Sequence, residues 1–192
     1  MENICKNIIT FFLKRNIIQD SDANACCMGL KLILSDIINF SIIILLGIFV
    51  EKPLYGVIYL CTFCGVRKFS GGFHAKTFFV CRMSMIGTFL TTIALFYLLS
   101  EFAKCISVLC VIFAIYTMLR FSPIIHPNRL LTKAEIKANK FVSVLSTCIC
   151  SIISILLVSI EYNEGLYWAL VLFAIAVLMY VGRIVNSRNE TV

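Results

Sequence analysis

Residues 28–50 read MGLKLILSDIINFSIIILLGIFV, an apolar run that contains a lysine and an aspartate. A helix that crosses a bilayer needs about 20 predominantly apolar residues, so this run predicts one membrane span. Outward from it, further apolar runs occupy residues 53–66, 83–100, 105–121, 141–160 and 166–184. The sequence therefore predicts an all-α, polytopic membrane protein with six transmembrane helices.

The composition requires that lipid cover much of the chain. Of its 192 residues, 60% are hydrophobic and only 14% are charged, with a mean hydropathy of +0.97. Such a chain has too little polar surface to enclose itself in water. The net charge of +7 does not indicate a nucleic-acid partner, because the basic residues form short clusters between the apolar runs, as is usual beside membrane spans.

The distribution of the 17 lysines and arginines predicts the orientation. Most of them precede the first span, follow the second or the fourth, or lie near the end of the chain. The alternate connections carry mainly glutamates, such as Glu51, Glu101 and Glu161. By the positive-inside rule, both termini and the basic loops face the cytoplasm. We expect one domain, residues 1–192, that is a multi-pass protein of the cell membrane.

The segment before the first span predicts an amphipathic helix on the membrane surface, within residues 1–22. Ile4, Ile8, Phe11 and Phe12 recur at helical spacing, and charged residues occupy other positions of the same helix. We therefore expect this helix to lie in the interface rather than to cross the bilayer.

The longest polar connection, residues 122–140, is predicted to be a basic cytoplasmic loop. Thr132 and Glu135 have the spacing of a capping box, in which each residue bonds to the other's backbone amide. We therefore expect a short helix from Thr132 onward.

The second predicted span is too short to cross the bilayer. Residues 53–66 would rise only about 21 Å as a helix, against about 30 Å of hydrocarbon. The segment 67–82 is the best candidate to complete the crossing, as non-helical backbone in the inner half of the membrane. Such backbone is tolerated where protein or trapped water satisfies its polar groups.

This segment also concentrates the chemistry of the chain. Residues 67–81 read RKFSGGFHAKTFFVC, with polar and titratable side chains between two apolar runs. Gly71 and Gly72 allow a sharp turn just before His74. His74 and Cys81 provide a base and a nucleophile, the pair that a thiol peptidase requires.

Geometry limits how His74 and Cys81 can meet. On one continuous helix they would lie about 10.5 Å apart along the axis, whereas proton transfer needs about 3 Å. His74 is therefore predicted in a glycine-bent loop that folds back over the third span. Thr77 is a candidate N-cap, which would place Cys81 in the first turn of that helix, where backbone amides favour a thiolate.

A structural interpretation remains open from these residues alone. A histidine in a basic loop is often interfacial, and a cysteine near a helix start is often a packing residue. Cys61 and Cys64 have the spacing of a metal or redox pair, but no second pair or flanking histidine accompanies them, so we interpret them as structural. We interpret His126, in the other basic loop, as structural or interfacial.

The string RKFSGGFHAKTFFVC resembles the signature of the accessory gene regulator protein B (AgrB) family. These are membrane peptidases that mature quorum-sensing peptides in Gram-positive bacteria. The resemblance implies a cytoplasm-facing catalytic dyad of His74 and Cys81. The residues that it implies for shaping the site or binding substrate are Arg67, Ser70, Gly71, Gly72 and Lys76.

The resemblance also implies the substrate, an AgrD-like propeptide with an acidic C-terminal tail. A cysteine endopeptidase would remove that tail through a thioester and support closure of a thiolactone or lactone ring. Arg67 could bind acidic groups of the substrate, stabilise the oxyanion, or simply extend towards the interface. No third catalytic residue can be named, since Asp36 and Asn39 in the first span are candidates either to orient His74 or to pair helices, and spacing alone does not place them. No cofactor or metal is expected, and a homodimer is one option for the oligomeric state.

A transporter or channel without covalent chemistry is the alternative function. Glycine-interrupted membrane segments are typical of such proteins, but they usually occur as a pair in two halves, and this chain has one. The two classes differ in what happens to the propeptide when Cys81 is replaced. A transporter would lose export and still show cut peptide.

Overall fold

The computed structural model describes residues 2–15, 17–70, 78–124 and 132–189, and within these ranges the fold is all-helical. The helices are α1 (Glu2–Lys14), α2 (Ala23–Phe49), α3 (Pro53–Ser70), α4 (Phe78–Leu99), α5 (Ala103–Phe121), α6 (Lys133–Ser159) and α7 (Glu164–Asn189). Short 3-10 turns, Asp20–Asp22 and Ser100–Phe102, precede α2 and α5. The chain divides into two compact units, Met1–Ile42 and Ile43–Val192, which are described separately. The boundary falls inside α2, and the single domain stays a prediction.

Among the described residues, four helical stretches are long and apolar enough to cross a membrane. They are Asp20–Phe49, Phe79–Phe121, Lys133–Ser159 and Glu164–Ile184. The all-α membrane class is therefore confirmed, while the number of six spans stays a prediction. Each predicted span coincides largely with one of the helices α2 to α7, but α3 carries Arg67 and Lys68 in its last turn and is not among the four stretches.

In the first unit, α1 covers most of the predicted amphipathic segment. Its last residue, Lys14, is basic, and the following Arg15 places its guanidinium 5.5 Å from the centre of the Phe11 ring. The helix itself is thus present, and its location at the membrane interface stays a prediction.

In the second unit, ring contacts and hydrogen bonds give the directions of the helices. Tyr55 contacts Phe96 and Tyr167, with ring centres 5.1 and 4.4 Å apart, so the start of α3 lies beside the end of α4 and the start of α7.

Phe113 contacts Phe173 at 5.2 Å, so α5 and α7 are neighbours. Further along the same two helices, Phe121 contacts Tyr180 at 6.0 Å, so they run parallel. Because α4 is antiparallel to α3 and α7, the apolar stretch Phe79–Phe121 reverses direction once.

The opposite end of this bundle, which we call the Ser70 end, collects the last turn of α3, the start of α4 and the last turns of α5 and α7. The Ile124 amide, just after α5, donates to the Ser70 carbonyl at 2.9 Å. The Ser122 and Ser143 hydroxyls are hydrogen-bonded, which brings the first half of α6 to the same end. The Ser70 end therefore includes both connections that the sequence predicts to be cytoplasmic.

The prediction that residues 67–82 cross the membrane as non-helical backbone is wrong at both ends of that segment. Helix α3 continues through Arg67 to Ser70, and its 18 residues rise about 27 Å. Helix α4 already begins at Phe78. Residues 71–77 lie outside the described residues. A hydropathy criterion ends the predicted span at Arg67 because this residue is charged. The helix nevertheless continues through Arg67, since its guanidinium packs on the ring of Phe63, one turn earlier.

The capping box at Thr132 is confirmed. Its hydroxyl accepts from the Glu135 amide at 3.3 Å, and the Glu135 carboxylate accepts from the Thr132 amide at 2.8 Å. The predicted short helix and loop over residues 122–140 are wrong in extent, because α6 begins at Lys133 and runs without interruption to Ser159. One cap therefore starts a long apolar helix that already includes residues 133–140.

Helices α6 and α7 form a hairpin with a very close seam at Gly165. The Ser154 hydroxyl donates to the Gly165 carbonyl at 2.8 Å. A Cβ atom on Gly165 would lie 2.5 Å from the Ser154 carbonyl oxygen and 2.8 Å from the Val158 amide nitrogen. Glu161 turns the chain with a φ of 66°, a left-handed conformation that usually favours glycine. At position 165 of this crossing, therefore, only a residue without a side chain fits.

Candidate functional site

One ridge of α3 leads to the candidate site. Tyr59, Phe63 and Arg67 follow one another at intervals of four residues, so they lie on the same face of the helix. The rings of Tyr59 and Phe63 stack with centres 5.0 Å apart. The Arg67 guanidinium lies 4.8 Å from the centre of the Phe63 ring, within the range of a cation–π interaction. The guanidinium is therefore held against α3 instead of extending freely from its end.

The same ridge fixes α3 against α4. The buried Tyr59 hydroxyl donates to the Met85 carbonyl at 3.0 Å, and its ring meets the edge of Phe89 at 5.3 Å. Met85 lies one turn after Cys81 in α4. This contact determines which residue of α4 faces Arg67.

Cys81 is the residue of α4 that this arrangement brings to Arg67. It is the fourth residue of the helix and is half-buried. Its sulfur is within electrostatic range of the Arg67 guanidinium and the Tyr59 hydroxyl, as is the sulfur of Cys64 on α3. Amides in the first turn of a helix have no acceptor within the helix, so this turn presents donors to nearby negative charge. The geometry combines a thiol, a guanidinium and a helix N-terminus at one place.

Ser70 ends α3 and anchors the site from the other side. It is fully buried, and its carbonyl accepts the Ile124 amide. This bond ties the last residue of α3 to the connection after α5. Helix α3 is thus fixed to α4 through Tyr59 and, at its last residue, to the region after α5.

A comparison with protein families decides the family of the chain. The family model for AgrB, accessory gene regulator B, matches residues 5–181, nearly the whole chain. The chain belongs to the AgrB family. Searches of the curated proteins and of the solved structures gave no significant match. Membership makes this a membrane protein of autoinducer peptide processing in quorum sensing, in a family that acts on AgrD propeptides.

For this AgrB protein, the structure brings together two of the predicted site residues, Arg67 and Cys81. The prediction that Cys81 lies in the first turn of its helix is confirmed by the start of α4 at Phe78. Ser70 lies at the same end of the bundle. Several other predicted residues lie outside the described part of the chain: Gly71, Gly72, His74, Lys76, Thr77 and His126. The pairing of His74 with Cys81 therefore stays a prediction.

The third catalytic residue also stays open. Asp36 and Asn39 lie on α2 in the first unit, where Asn39 is buried and Asp36 is exposed. Cys61 and Cys64 of the C-x-x-C spacing both lie on α3, and neither forms a disulfide.

Tyr59 and Phe63 are site residues that the sequence analysis missed. The available signal was their spacing to Arg67, since aromatic residues four and eight positions before a cation on one helix can stack beneath it. In an apolar span the two rings looked like ordinary core residues. Their position beside Arg67 makes them the support of the AgrB site.

Proposed function

We propose that this chain is a membrane cysteine endopeptidase that removes the C-terminal tail of an AgrD-like propeptide, with Cys81 as nucleophile and His74 as general base. The observation that carries the proposal is the half-buried Cys81 in the first turn of α4, beside the Arg67 guanidinium. A thiol at a helix start near a fixed cation is the usual setting of a reactive cysteine. Cys110, by contrast, is buried within α5.

The reaction begins with transfer of the Cys81 thiol proton to His74. The thiolate attacks the carbonyl carbon of the peptide bond before the tail and forms a C–S bond. As the tetrahedral intermediate collapses, the C–N bond breaks, and His74 returns the proton to the amine of the released tail. The remaining propeptide is then held as a thioester on Cys81.

Ring closure completes the cycle. A cysteine or serine side chain within the bound peptide attacks the thioester carbonyl, and the Cys81 sulfur leaves and recovers a proton. The product is a thiolactone or a lactone. Because the acyl group is held as a thioester, its exchange onto the ring-forming thiol or hydroxyl needs no further energy source, which gives a chemical reason for a thiol nucleophile.

Arg67 is assigned the role of stabilising the negative charge that develops during this reaction. Its guanidinium is held on the Phe63 ring and lies near the sulfur, so it can stabilise the oxyanion of the tetrahedral intermediate. Gly71, Gly72 and Lys76 complete the segment that shapes the site, together with Ser70. With both termini and the site in the cytoplasm, the basic connections would complement the acidic tail.

The defining test is to trap the thioester on Cys81. The purified chain is reconstituted in liposomes and mixed with a propeptide whose ring-forming cysteine or serine is replaced by alanine, so that the acyl group cannot leave by cyclisation. We expect the mass of the chain to rise by that of the propeptide without its tail. Peptide mapping should place the adduct on Cys81, and hydroxylamine should remove it.

The neighbouring thiol provides the control. Cys64→Ser leaves Cys81 in place and should form the same adduct. Tail release with the adduct on another cysteine would overturn the assignment of the nucleophile. Intact propeptide that is bound or exported without any tail release would favour a transporter.

The role of the aromatic ridge predicts a specific effect for Phe63→Leu. Loss of the ring removes the cation–π support of Arg67, so we expect kcat for tail release to fall about fivefold with little change in KM. The measurement is the initial rate against propeptide concentration in liposomes. Phe89→Leu is the matched control, because that ring also contacts Tyr59 and is buried but does not support Arg67. Equal losses of kcat in both variants would assign Phe63 a packing role only.

A further inference from the structure

A polar cavity that does not include Cys81 lies on the outer surface of the bundle, where α5 and α7 run side by side. Its volume is about 430 Å³. Six residues from the final turns of the two helices line it: Tyr116, Arg120, Phe121, Tyr180, Arg183 and Ile184. It therefore opens at the Ser70 end, where the apolar parts of both helices finish.

Two guanidinium groups, one from each helix, provide its charge. Arg120 lies in the last turn of α5 and is exposed. Arg183 of α7 packs over the Phe121 ring, with 4.5 Å between its central carbon and the ring centre. Within the described ranges neither arginine has a carboxylate at ion-pair distance. The cavity thus presents two cations and two tyrosine hydroxyls, and no carboxylate of the described residues neutralises them there.

The surface that leads away from this cavity towards the middle of the bundle is apolar. Phe113 and Val177 are exposed on α5 and α7, and Phe113 packs against Phe173 across the two helices. The parallel helices therefore form one continuous surface, cationic at its end and hydrocarbon-like along its length. Tyrosine residues at the junction have the amphipathic character that favours the headgroup region of a bilayer.

We propose that this cavity binds the phosphate of an anionic phospholipid, with the acyl chains lying along the exposed faces of α5 and α7. Guanidinium groups offer paired N–H donors that match phosphate oxygens, and the tyrosine hydroxyls add further donors. The apolar surface favours a lipid over free phosphate, because only a lipid uses both parts of the site. An acidic peptide would leave the apolar part without a partner. This proposal is independent of the peptidase assignment.

The test measures lipid retention by the purified full-length chain in neutral detergent, using native mass spectrometry. Dioleoyl phosphatidylglycerol is compared with dioleoyl phosphatidylcholine. We expect the double variant Arg120→Gln, Arg183→Gln to bind phosphatidylglycerol about tenfold more weakly or worse, since it loses two charge-assisted contacts. Phosphatidylcholine should bind weakly to parent and variant alike.

The matched control removes two charges at the same end of the bundle but outside the cavity. Lys137 and Lys140 are exposed in the first turns of α6. The double variant Lys137→Gln, Lys140→Gln should retain phosphatidylglycerol like the parent. If the arginine variant does not fold, Tyr116→Phe with Tyr180→Phe replaces it, with an expected loss of about threefold.

Three results would overturn the proposal. Equal losses in the arginine and lysine variants would mean diffuse attraction to the basic surface. Complete displacement of the lipid by millimolar inorganic phosphate would mean a free-anion site without a contribution from the acyl chains. Binding of an acidic tail peptide in lipid-free detergent, abolished only by the arginine variant, would assign the cavity to the propeptide.

Discussion

Replacing Cys81 with alanine should abolish release of the propeptide tail, with an expected loss on the order of 10³-fold or more, because the proposed covalent intermediate forms on this sulfur. We expect serine at this position to be nearly inactive as well, since a histidine base does not make an alcohol as nucleophilic as a thiolate. The measurement is the initial rate of tail release from a doubly tagged propeptide in liposomes. Cleavage is then read without any contribution from export.

Cys105→Ala is the control for this substitution. Cys105 is an exposed free thiol near the start of α5, at the end of the bundle opposite Ser70. It should retain the parent rate. Tail release that survives in the Cys81→Ala variant would end the assignment of Cys81 as the nucleophile, because the purified chain would then cut the propeptide with another group.

Replacing His74 with alanine should lower the same rate by about 10²- to 10⁴-fold, the contribution of a general acid and base. The variant should also react more slowly with iodoacetamide at Cys81, because the thiol loses the base that deprotonates it. Added imidazole should restore part of the rate. Such rescue distinguishes a catalytic histidine from one that only stabilises the fold.

The chain has only two histidines, so His126→Ala is the natural comparison. We interpret His126 as structural or interfacial, and its variant should keep most of the activity and the full reactivity of Cys81. If the two histidine variants lose activity equally and imidazole rescues neither, His74 is not the base.

The helices were predictable because membrane spans are defined by hydropathy alone. The cap at Thr132 and the first-turn position of Cys81 followed from local rules, since hydrogen bonding within four residues decides both. The end of α3 did not follow. Hydropathy treats Arg67 as the boundary of the span, whereas its charge is supported inside the helix by Phe63.

The sequence also did not predict which face of each helix packs in the core of the bundle. In a helix that is apolar all round, periodicity does not tell the core face from the lipid face. The approach of Cys81 to Arg67 depends on contacts between α3 and α4, among them the hydrogen bond from Tyr59 to the Met85 carbonyl. Those residues are far apart in the chain, and nothing local in either segment indicates that they meet.

The close crossing at Gly165 has a consequence for how the protein is made. Because the connection from Ser159 to Glu164 is short and the two backbones touch there, α6 and α7 can pair as soon as both have left the ribosome. They can then enter the bilayer together as one hairpin. Biogenesis would thus insert two helices that are already paired in a single step.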